Sequence, residues 1–135
     1  MGIRYIKPSK RKRVLMKYGG RCAYSGTLLG DDWEVDHLIP YSEITTAENY
    51  PIKADNIINL MPCQRVINEH KSHMSLEEFR DKILKNLHRK LAEIKYANLH
   101  HYSRKDKSTI ELASYFGITE EMPFTGKFYF ETLRK

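Results

Sequence analysis

The sequence is poor in cysteine and has no long apolar run. Its 135 residues include only two cysteines, too few for a scaffold of disulfide bonds. No apolar segment follows the first methionine, and no run approaches the roughly eighteen residues that a membrane-spanning helix needs. These absences argue against secretion and membrane insertion. We therefore expect a cytoplasmic protein that folds as one domain over residues 1–135.

Acidic residues are absent from the N-terminal part of the chain, although the net charge is +6 and the sequence pI is about 9.3. The cations that precede the first acidic residue are Arg4, Lys7, Lys10, Arg11, Lys12, Arg13, Lys17 and Arg21. Because neutralised phosphates release condensed counterions, such clustering favours a nucleic-acid partner. Arg11, Lys12 and Arg13 are the candidates for phosphate contacts. A second basic stretch, Lys82 to Lys107, contains acidic residues and could equally be a solvated face.

Local patterns predict a helix and then a strand in the first third of the chain. Ser9, a basic run to Tyr18 and the glycines at 19 and 20 are typical of a short helix with an N-cap and a glycine stop. The apolar run from Trp33 to Ile39 predicts a strand. Residues 41–55 are polar and mixed, so we expect an irregular connection there.

Pro62 is suited to the first turn of a helix that runs to about His70. The residues at helical spacing that would face the core are Cys63, Val66, Ile67 and His70. The residues that would face the other way are Gln64, Arg65, Asn68 and Lys71. Residues two apart on a helix point about 200° from each other, so Asn68 and His70 cannot serve one site. We expect Asn68 to face the site and His70 to be packed or partly buried.

A capping-box pattern at Ser75 to Glu78 begins a long amphipathic helix. Its apolar stripe consists of Leu76, Phe79, Ile83, Leu87, Leu91 and Ile94. The stripe would pack on the preceding elements, or it could join two copies of the chain in a homodimer. Ser108 to Phe116 predicts a last short helix and Lys127 to Glu131 a terminal strand. The expected fold class is therefore α+β.

A pattern of short motifs begins within the predicted strand: Asp36 and His37, then Asn59 followed by Leu60, then Asn68 with Lys71 three residues later. Asp36 and His37 interrupt an otherwise apolar stretch, and Asn68 follows Asn59 by nine positions (68 − 59). On these residues the segment from Cys22 to Lys71, roughly a third of the chain, resembles the HNH, or ββα-metal, nuclease family. The order of the later elements is similar to that of small stand-alone members from phages and bacteria.

The resemblance implies a fold and an activity. The fold is a ββα-metal core over about 22–71, a short hairpin plus a helix, with a helical and strand extension over 72–135. The activity is hydrolysis of phosphodiester bonds in DNA, expected to be double-stranded, by a single Mg²⁺ or Mn²⁺ ion, and the products carry 5′-phosphates. The expected location is the cytoplasm of a bacterial cell or a phage-infected host.

The resemblance also implies roles for individual residues. His37 would be the general base, since an imidazole is largely neutral at physiological pH. Asp36 and Asn68 would hold the metal, and Asn59 would brace the loop and strand that orient the histidine. Arg65 and Lys71 are candidates for phosphate contacts, or else ordinary solvated side chains.

Asp36 and His37 present a geometric difficulty, because successive residues of a regular strand point to opposite sides. The strand must twist, bulge or end there if both are to address one site. An alternative use of the pair is a buried hydrogen bond between Asp36 and His37 that only staples a hairpin.

The zinc knuckle of many family members is not intact in this sequence. The first of its two Cys pairs is Cys22 and Ser25, and the second would fall at Gln64 and Ile67, with Cys63 one residue out of register. Four tetrahedral ligands cannot be assembled from these positions. We predict no structural zinc, with the packing of Ile67 and its neighbours against the long helix in its place. A mixed site from the two cysteines and a histidine is the alternative.

Two rival functions remain at this stage. One is a catalytically inactive nucleic-acid-binding module of the same fold, in which the basic surface is used but the site is vestigial. The other, a zinc-ribbon scaffold for protein partners, is disfavoured by the missing cysteines.

Overall fold

The computed structural model describes residues 5–97 and 101–133 and has an α+β fold. Arg4 of the N-terminal basic stretch lies outside the described residues. The helices are α1 (Pro8–Met16), α2 (Tyr41–Thr46), α3 (Arg65–Lys71), α4 (Leu76–Glu78), α5 (Leu87–Ala97), α6 (Arg104–Tyr115) and α7 (Tyr129–Thr132). The strands are β1 (Glu34–His37) and β2 (Leu60–Cys63). A 3-10 turn (Ile57–Asn59) precedes β2, and a π-helix (Phe79–Leu84) follows α4.

The two strands form an antiparallel pair in which Asp36 lies opposite Met61 and His37 lies opposite Leu60. Helix α3 begins two residues after β2 and packs against β1. An antiparallel strand pair and a helix that packs against it are therefore present. The strands are joined by a long connection, so the residues predicted at 36, 37, 59 and 68 meet only because this connection returns the chain to β1.

Pro62 is part of β2, so the prediction that it lies in the first turn of a helix is wrong. Proline lacks a backbone N–H and is confined in sheets to positions that need no donor. In this two-stranded sheet Pro62 pairs in register with Val35, and its carbonyl accepts a hydrogen bond from the backbone N–H of Ala23 at 2.8 Å. The helix consequently starts at Arg65, three residues later than Pro62.

Helix α1 begins at Pro8 rather than after a Ser9 cap, because proline fits the first helical position. It is held to the sheet through Lys17, just after its C-terminus, whose ammonium donates to the carbonyls of Ile57 (2.8 Å) and Leu60 (2.6 Å). Burial lowers the pKa of Lys17. The connection after β1 was expected to be irregular, but it contains α2, which buries Ile44.

The predicted long helix is interrupted. The capping box is present, with the Ser75 hydroxyl accepting from the Glu78 N–H and the Glu78 carboxylate accepting from the Ser75 N–H. The π-helix then changes the period, so that Leu84, five residues after Phe79, is fully buried and Ile83 only partly. Counted from Phe79, a uniform period of 3.6 residues would place residue 84 about 140° away from the apolar stripe.

The main core draws on both the hairpin region and the later helices. Its centre is an aromatic cluster in which Phe79 and Phe128 stack with ring centroids 5.9 Å apart. Tyr24 contacts Phe128 edge-on, at 5.6 Å between centroids. Such pairs contribute about 0.5 to 1.5 kcal/mol beyond the burial of their area. A smaller cluster of Val14, Trp33 and Leu60 joins α1 to the sheet.

The predicted C-terminal strand is a short helix instead. Phe128 and Phe130 are both buried, as they would be on one face of a strand. However, the carboxylate of Glu131 accepts a hydrogen bond from the Phe128 N–H at 2.8 Å, which begins a helical turn. The N–H groups of Tyr129 and Phe130 donate to the carbonyls of residues 24 and 23 and tie the end of the chain to the hairpin region. The helix predicted from Ser108 to Phe116 is present as α6, which begins earlier, at Arg104.

None of the helices within residues 5–97 and 101–133 has the length and apolar character needed to cross a bilayer.

Candidate functional site

Three of the four predicted site residues line one groove. Asp36, His37 and Asn68 share a cavity of about 780 Å³, to which Arg11 and Arg65 also contribute. Asn59 lies beneath this groove rather than in its wall, and it is buried. The sequence spacing thus brings the expected groups to a common place.

His37 is the last residue of β1, which resolves the difficulty of two successive residues pointing to opposite sides. The chain bends directly after it, and the Leu38 N–H donates to the Asn59 carbonyl at 2.9 Å. Because the strand ends there, its alternation does not hold the imidazole away from the groove. Both Asp36 and His37 line the groove as a result.

Asp36 is almost buried and belongs to a polar cluster under the groove. Its Oδ2 atom accepts a hydrogen bond from the Tyr24 hydroxyl at 2.5 Å and lies 2.8 Å from the Lys71 ammonium. Burial, and then the charge of Asp36, raise the pKa of Tyr24 well above its usual value, so this hydroxyl remains a donor. Both contacts use the same oxygen, and Oδ1 has no hydrogen bond within the described part of the chain.

His37 is paired with a residue that the sequence patterns did not single out. Its Nε2 atom lies 2.8 Å from Oδ1 of Asp55, at the end of the connection between the strands. An ionised carboxylate only accepts hydrogen bonds, so Nε2 carries the hydrogen and a neutral imidazole has its lone pair at Nδ1. The backbone carbonyl of Asp55 is in turn bonded by the Lys10 ammonium from α1. Within the described residues, His37 and Asp36 are not hydrogen-bonded to each other.

Asn59 joins the two ends of the inter-strand connection. Its side-chain oxygen accepts from the Ile39 N–H at 2.8 Å, and its amide nitrogen donates to the carbonyls of Ile39 (3.1 Å) and Ala54 (2.9 Å). These bonds fix the segment directly after His37 and the residue directly before Asp55. Asn59 is 2 % exposed, so it can brace this loop but cannot reach a ligand in the groove.

Asn68 lies on the face of α3 that turns towards β1. Its amide nitrogen donates to Oε1 of Glu34 at 2.8 Å, and Oε2 of Glu34 lies 3.7 Å from Nε of Arg65. The side-chain oxygen of Asn68 has no hydrogen bond among residues 5–97 and 101–133. Glu34 and Asp36 are two apart in β1 and hence point to the same side of the strand.

The expected cationic contacts differ in their availability. Arg11 stacks on the Trp33 ring, 4.0 Å from its centroid, and donates to the Trp33 carbonyl at 2.7 Å. Arg65 is 63 % exposed and pairs weakly with carboxylates of its surroundings. Lys12 and Arg13 are exposed on α1 but do not line the groove. They could contact the phosphates of a substrate only if that substrate extended beyond the groove.

Lys71 is not the exposed cation that a phosphate contact would require. Its side chain is 1 % exposed, and its ammonium is bonded to Asp36 and to the His37 carbonyl at 3.1 Å. The helix-face argument placed Lys71 on the correct side of α3, but that side is covered by β1. The Lys71 side chain therefore lies in the interior. We correct its predicted role from a phosphate contact to an internal ion-pair partner.

His70, on the opposite side of α3, is half-buried as expected and contacts Ser108 of α6 at 2.9 Å. Burial lowers its pKa below the ordinary value. The side chains of Val66 and Ile67 face the main core, also as expected.

The positions at which the resemblance would place a zinc knuckle form a hydrogen-bonded cluster. The Cys22 sulfur accepts from the N–H groups of Tyr24 and Ser25, each at 3.3 Å. The Ser25 hydroxyl bonds the Gln64 side chain at 3.0 Å and the Thr27 hydroxyl at 2.9 Å, and Gln64 also bonds Thr27. Side-chain hydrogen bonds thus connect the knuckle turn to the start of α3, in addition to the apolar packing that we expected.

The cysteines themselves are free and buried. Burial, followed by the charge of Asp36, raises the pKa of Cys63 well above its usual value, which disfavours the thiolate that a zinc ion needs. Within the described ranges, no three His, Cys, Asp or Glu side chains form a ligand set for a metal ion. A cation in the groove would therefore have fewer than three carboxylate and imidazole ligands, and amide oxygen and water would be its other ligands.

Four groups around the site escaped the sequence patterns: Tyr24, Glu34, Asp55 and His73. Only Glu34 had a local signal, since alternation along a strand places it on the side of Asp36. His73 is exposed and lines the groove just after Ser72, whose φ of 50° is uncommon for a residue other than glycine.

No protein-family model matches the chain, and no curated protein and no solved structure matches it significantly. The functional assignment therefore depends on the side-chain arrangement described above.

Proposed function

We propose that this chain is a DNA endonuclease of the HNH type, with a ββα-metal core, that hydrolyses phosphodiester bonds with a single Mg²⁺ or Mn²⁺ ion and a histidine base. The observation that carries the proposal is the convergence of Asp36, His37 and Asn68 on one groove. A carboxylate, an imidazole and an amide oxygen are the groups that such hydrolysis needs for metal binding and proton transfer.

His37 acts as the general base through Nδ1. Asp55 holds the hydrogen on Nε2, at 2.8 Å, and thereby leaves Nδ1 as the atom that can take a proton. A water molecule loses its proton to Nδ1 and attacks phosphorus. The bond from phosphorus to the 3′ oxygen then breaks, which gives a 5′-phosphate and, after protonation of the leaving oxygen, a 3′-hydroxyl.

Asp36 and Asn68 fit a hard divalent cation by their chemistry. Each has one side-chain oxygen that makes no hydrogen bond within the described residues, while its other polar atom is fixed by Lys71 and Tyr24 or by Glu34. The chemistry that a bound Mg²⁺ supplies is stabilisation of the charge on the scissile phosphate and on the departing oxygen. Asp36 and Asn68 would be the two protein groups that hold the cation, and two protein ligands imply weak binding in the absence of DNA.

The proposed substrate is a polyanion, DNA, because the exposed cations of α1 adjoin a groove whose lining has two arginines beside the carboxylates of Asp32, Glu34 and Asp36. Arg11 and Arg65 line the groove, and Lys12 and Arg13 extend the positive surface along α1. Such cations position a backbone without reading its sequence.

The test is cutting of supercoiled plasmid in Mg²⁺ by the wild type and by His37→Ala, with His101→Ala as the matched control. His101 is exposed and does not line the groove. We expect nicked or linear product from the wild type and from the control, and a rate at least about 10²-fold lower for His37→Ala. Equal cutting by all three proteins would remove His37 from the mechanism, and a Mg²⁺-independent rate would remove the metal.

The alternative is a nucleic-acid-binding module without catalysis, and the buried Asp36–Lys71 pair is the observation that favours it. In that case Asp36 serves only the interior. The two proposals differ in one result: an inactive module retards DNA in a gel and leaves plasmid supercoiled at every Mg²⁺ and Mn²⁺ concentration.

A further inference from the structure

Glu34 is a carboxylate that hydrogen-bonds the proposed metal-binding side chain of Asn68 and is not itself proposed as a ligand. It stands at the first position of β1, two residues before Asp36, and lines the same groove. Its Oε1 atom accepts the hydrogen bond from the Asn68 amide nitrogen at 2.8 Å. This bond connects β1 to α3 across the floor of the groove.

The chemistry of the Asn68 side chain decides which end of its amide faces Glu34. An amide has an oxygen that can bind a hard cation and an NH₂ group that cannot, and the two ends have nearly the same size. A carboxylate accepts hydrogen bonds only, so it selects the orientation in which the NH₂ group faces Glu34. The oxygen must then point away from Glu34.

We propose that Glu34 is a positioning residue that fixes the amide of Asn68 with its oxygen available to a divalent cation in the groove. This inference rests on the proposed function, since it concerns the same cation. Glu34 acts through Asn68 and does not coordinate the ion. Partners of this kind typically change metal affinity or activity by about 10- to 100-fold when they are removed.

The groups near Glu34 support a positioning role over a purely structural one. Arg65 is its other partner, but the separation is 3.7 Å and the arginine side chain is 63 % exposed, so this ion pair contributes little to stability. Glu34 itself is only 30 % exposed, whereas a carboxylate that served solubility alone would be more exposed. Its short, well-defined contact is with Asn68.

The experiment compares Glu34→Met, Glu34→Gln and Glu69→Ala with the wild type. Methionine keeps the length of the side chain but cannot hold the amide, while glutamine keeps an accepting oxygen. Glu69 also pairs with Arg65, at 3.3 Å, and does not line the groove, so Glu69→Ala is the matched control. Urea unfolding of each variant verifies that it folds. If Glu34→Met does not fold, Glu34→Ala replaces it.

Two readouts are measured on the full chain. The first is the Mg²⁺ concentration that gives half-maximal plasmid cutting. The second is broadening of the Asn68 side-chain amide signal by Mn²⁺ in ¹⁵N NMR, which detects weak binding and requires no catalysis. We expect Glu34→Met to need about 10- to 100-fold more metal in both, Glu34→Gln to remain much closer to the wild type, and Glu69→Ala to be unchanged.

The outcomes separate this inference from the proposed function. If the wild type cuts DNA and Glu34→Met needs no more metal than the wild type, the positioning role is overturned and the nuclease is upheld. Equal losses in Glu34→Gln and Glu34→Met would also overturn it, since they would indicate that the carboxylate binds the ion directly. If the wild type cuts no DNA but Mn²⁺ broadens its Asn68 amide signal, and this broadening is weaker in Glu34→Met, the positioning role is supported and the nuclease is refuted. Absence of both cutting and broadening would overturn both.

Discussion

The Lys71 ammonium lies 2.8 Å from Oδ2 of Asp36, and both side chains are almost completely buried. The cost of burying two charges is offset only if each keeps its partners, and here Tyr24 and the His37 carbonyl complete the set. This pair fixes the position of the Asp36 carboxylate, which lines the groove. The ion pair therefore connects the stability of the fold to the geometry of the site.

Lys71→Met is expected to destabilise the protein by about 3 to 5 kcal/mol, because an unpaired carboxylate would remain buried. Tyr24→Phe removes only a hydroxyl and is expected to cost about 1 to 3 kcal/mol. The measurement is the free energy of unfolding in urea. Lys82→Met is the control, since its pair with Glu78 is exposed and contributes little to stability. Similar losses for Lys71→Met and Lys82→Met would contradict the internal role of Lys71.

Asp55→Asn is expected to lower the rate of plasmid cutting by about 10² to 10⁴. An asparagine at 55 can donate its NH₂ group to Nε2 of His37, which would move the ring hydrogen to Nδ1 and block the proposed base. The rate is measured at saturating Mg²⁺, and ¹⁵N NMR of the imidazole reports the tautomer independently of activity. Asp81→Asn, at an exposed position of the π-helix, serves as the control. A variant that retained both the rate and the tautomer would show that Asp55 does not orient His37.

The sequence predicted those parts of the fold that depend on local patterns. The capping box at Ser75, the core-facing positions of Val66 and Ile67 and the half-buried position of His70 follow from local spacing along a helix, and all three are confirmed. Pro62 was misassigned because proline suits both a first helical turn and a strand position without a donor. The pairing with β1 that decided between them is a tertiary contact, which no window of sequence contains.

The partners in the site were harder to predict than the site residues. Asp55 lies 18 residues from His37 in an irregular connection, where no periodicity indicates which way a side chain points. Tyr24 and Lys71 meet at Asp36 from segments on either side of it in the sequence. Such clusters form where distant segments of the chain fold back against each other, and they produce no periodic pattern in the sequence.

The double variant Lys12→Ala/Arg13→Ala is expected to bind DNA more weakly and with a shallower salt dependence. Each phosphate contact contributes about 0.9 to the slope of log K against log salt concentration, so the slope should fall by about 2. The measurement is fluorescence anisotropy of a labelled duplex in the His37→Ala background, which prevents cutting.

The control for this measurement is Lys82→Ala/Lys95→Ala, since each of these lysines is paired with a carboxylate, of Glu78 and of Glu120. Its slope should match that of the parent protein. If the two double variants have the same slope, the N-terminal cations do not contact phosphates.

His70 gives a prediction for the pH dependence of stability. Burial lowers its pKa in the folded state below the ordinary value of 6.5, Lys90 lowers it further and Glu69 opposes the shift. The unfolded chain therefore binds a proton more readily than the folded one, so the free energy of unfolding rises with pH across this interval. The contribution of the neutral histidine is complete above about pH 6.5 and is lost as the pH falls through the lowered pKa.

The measurement is urea unfolding of the wild type and of His70→Gln at several pH values from neutral to mildly acidic. Glutamine can keep a contact with Ser108 but does not titrate, so its stability should fall less on acidification than that of the wild type. His101→Gln, at an exposed position, should follow the wild type throughout. Parallel curves for the wild type and His70→Gln would indicate that the contact between α3 and α6 tolerates a protonated imidazole, and the assignment of His70 to this acid sensitivity would be wrong.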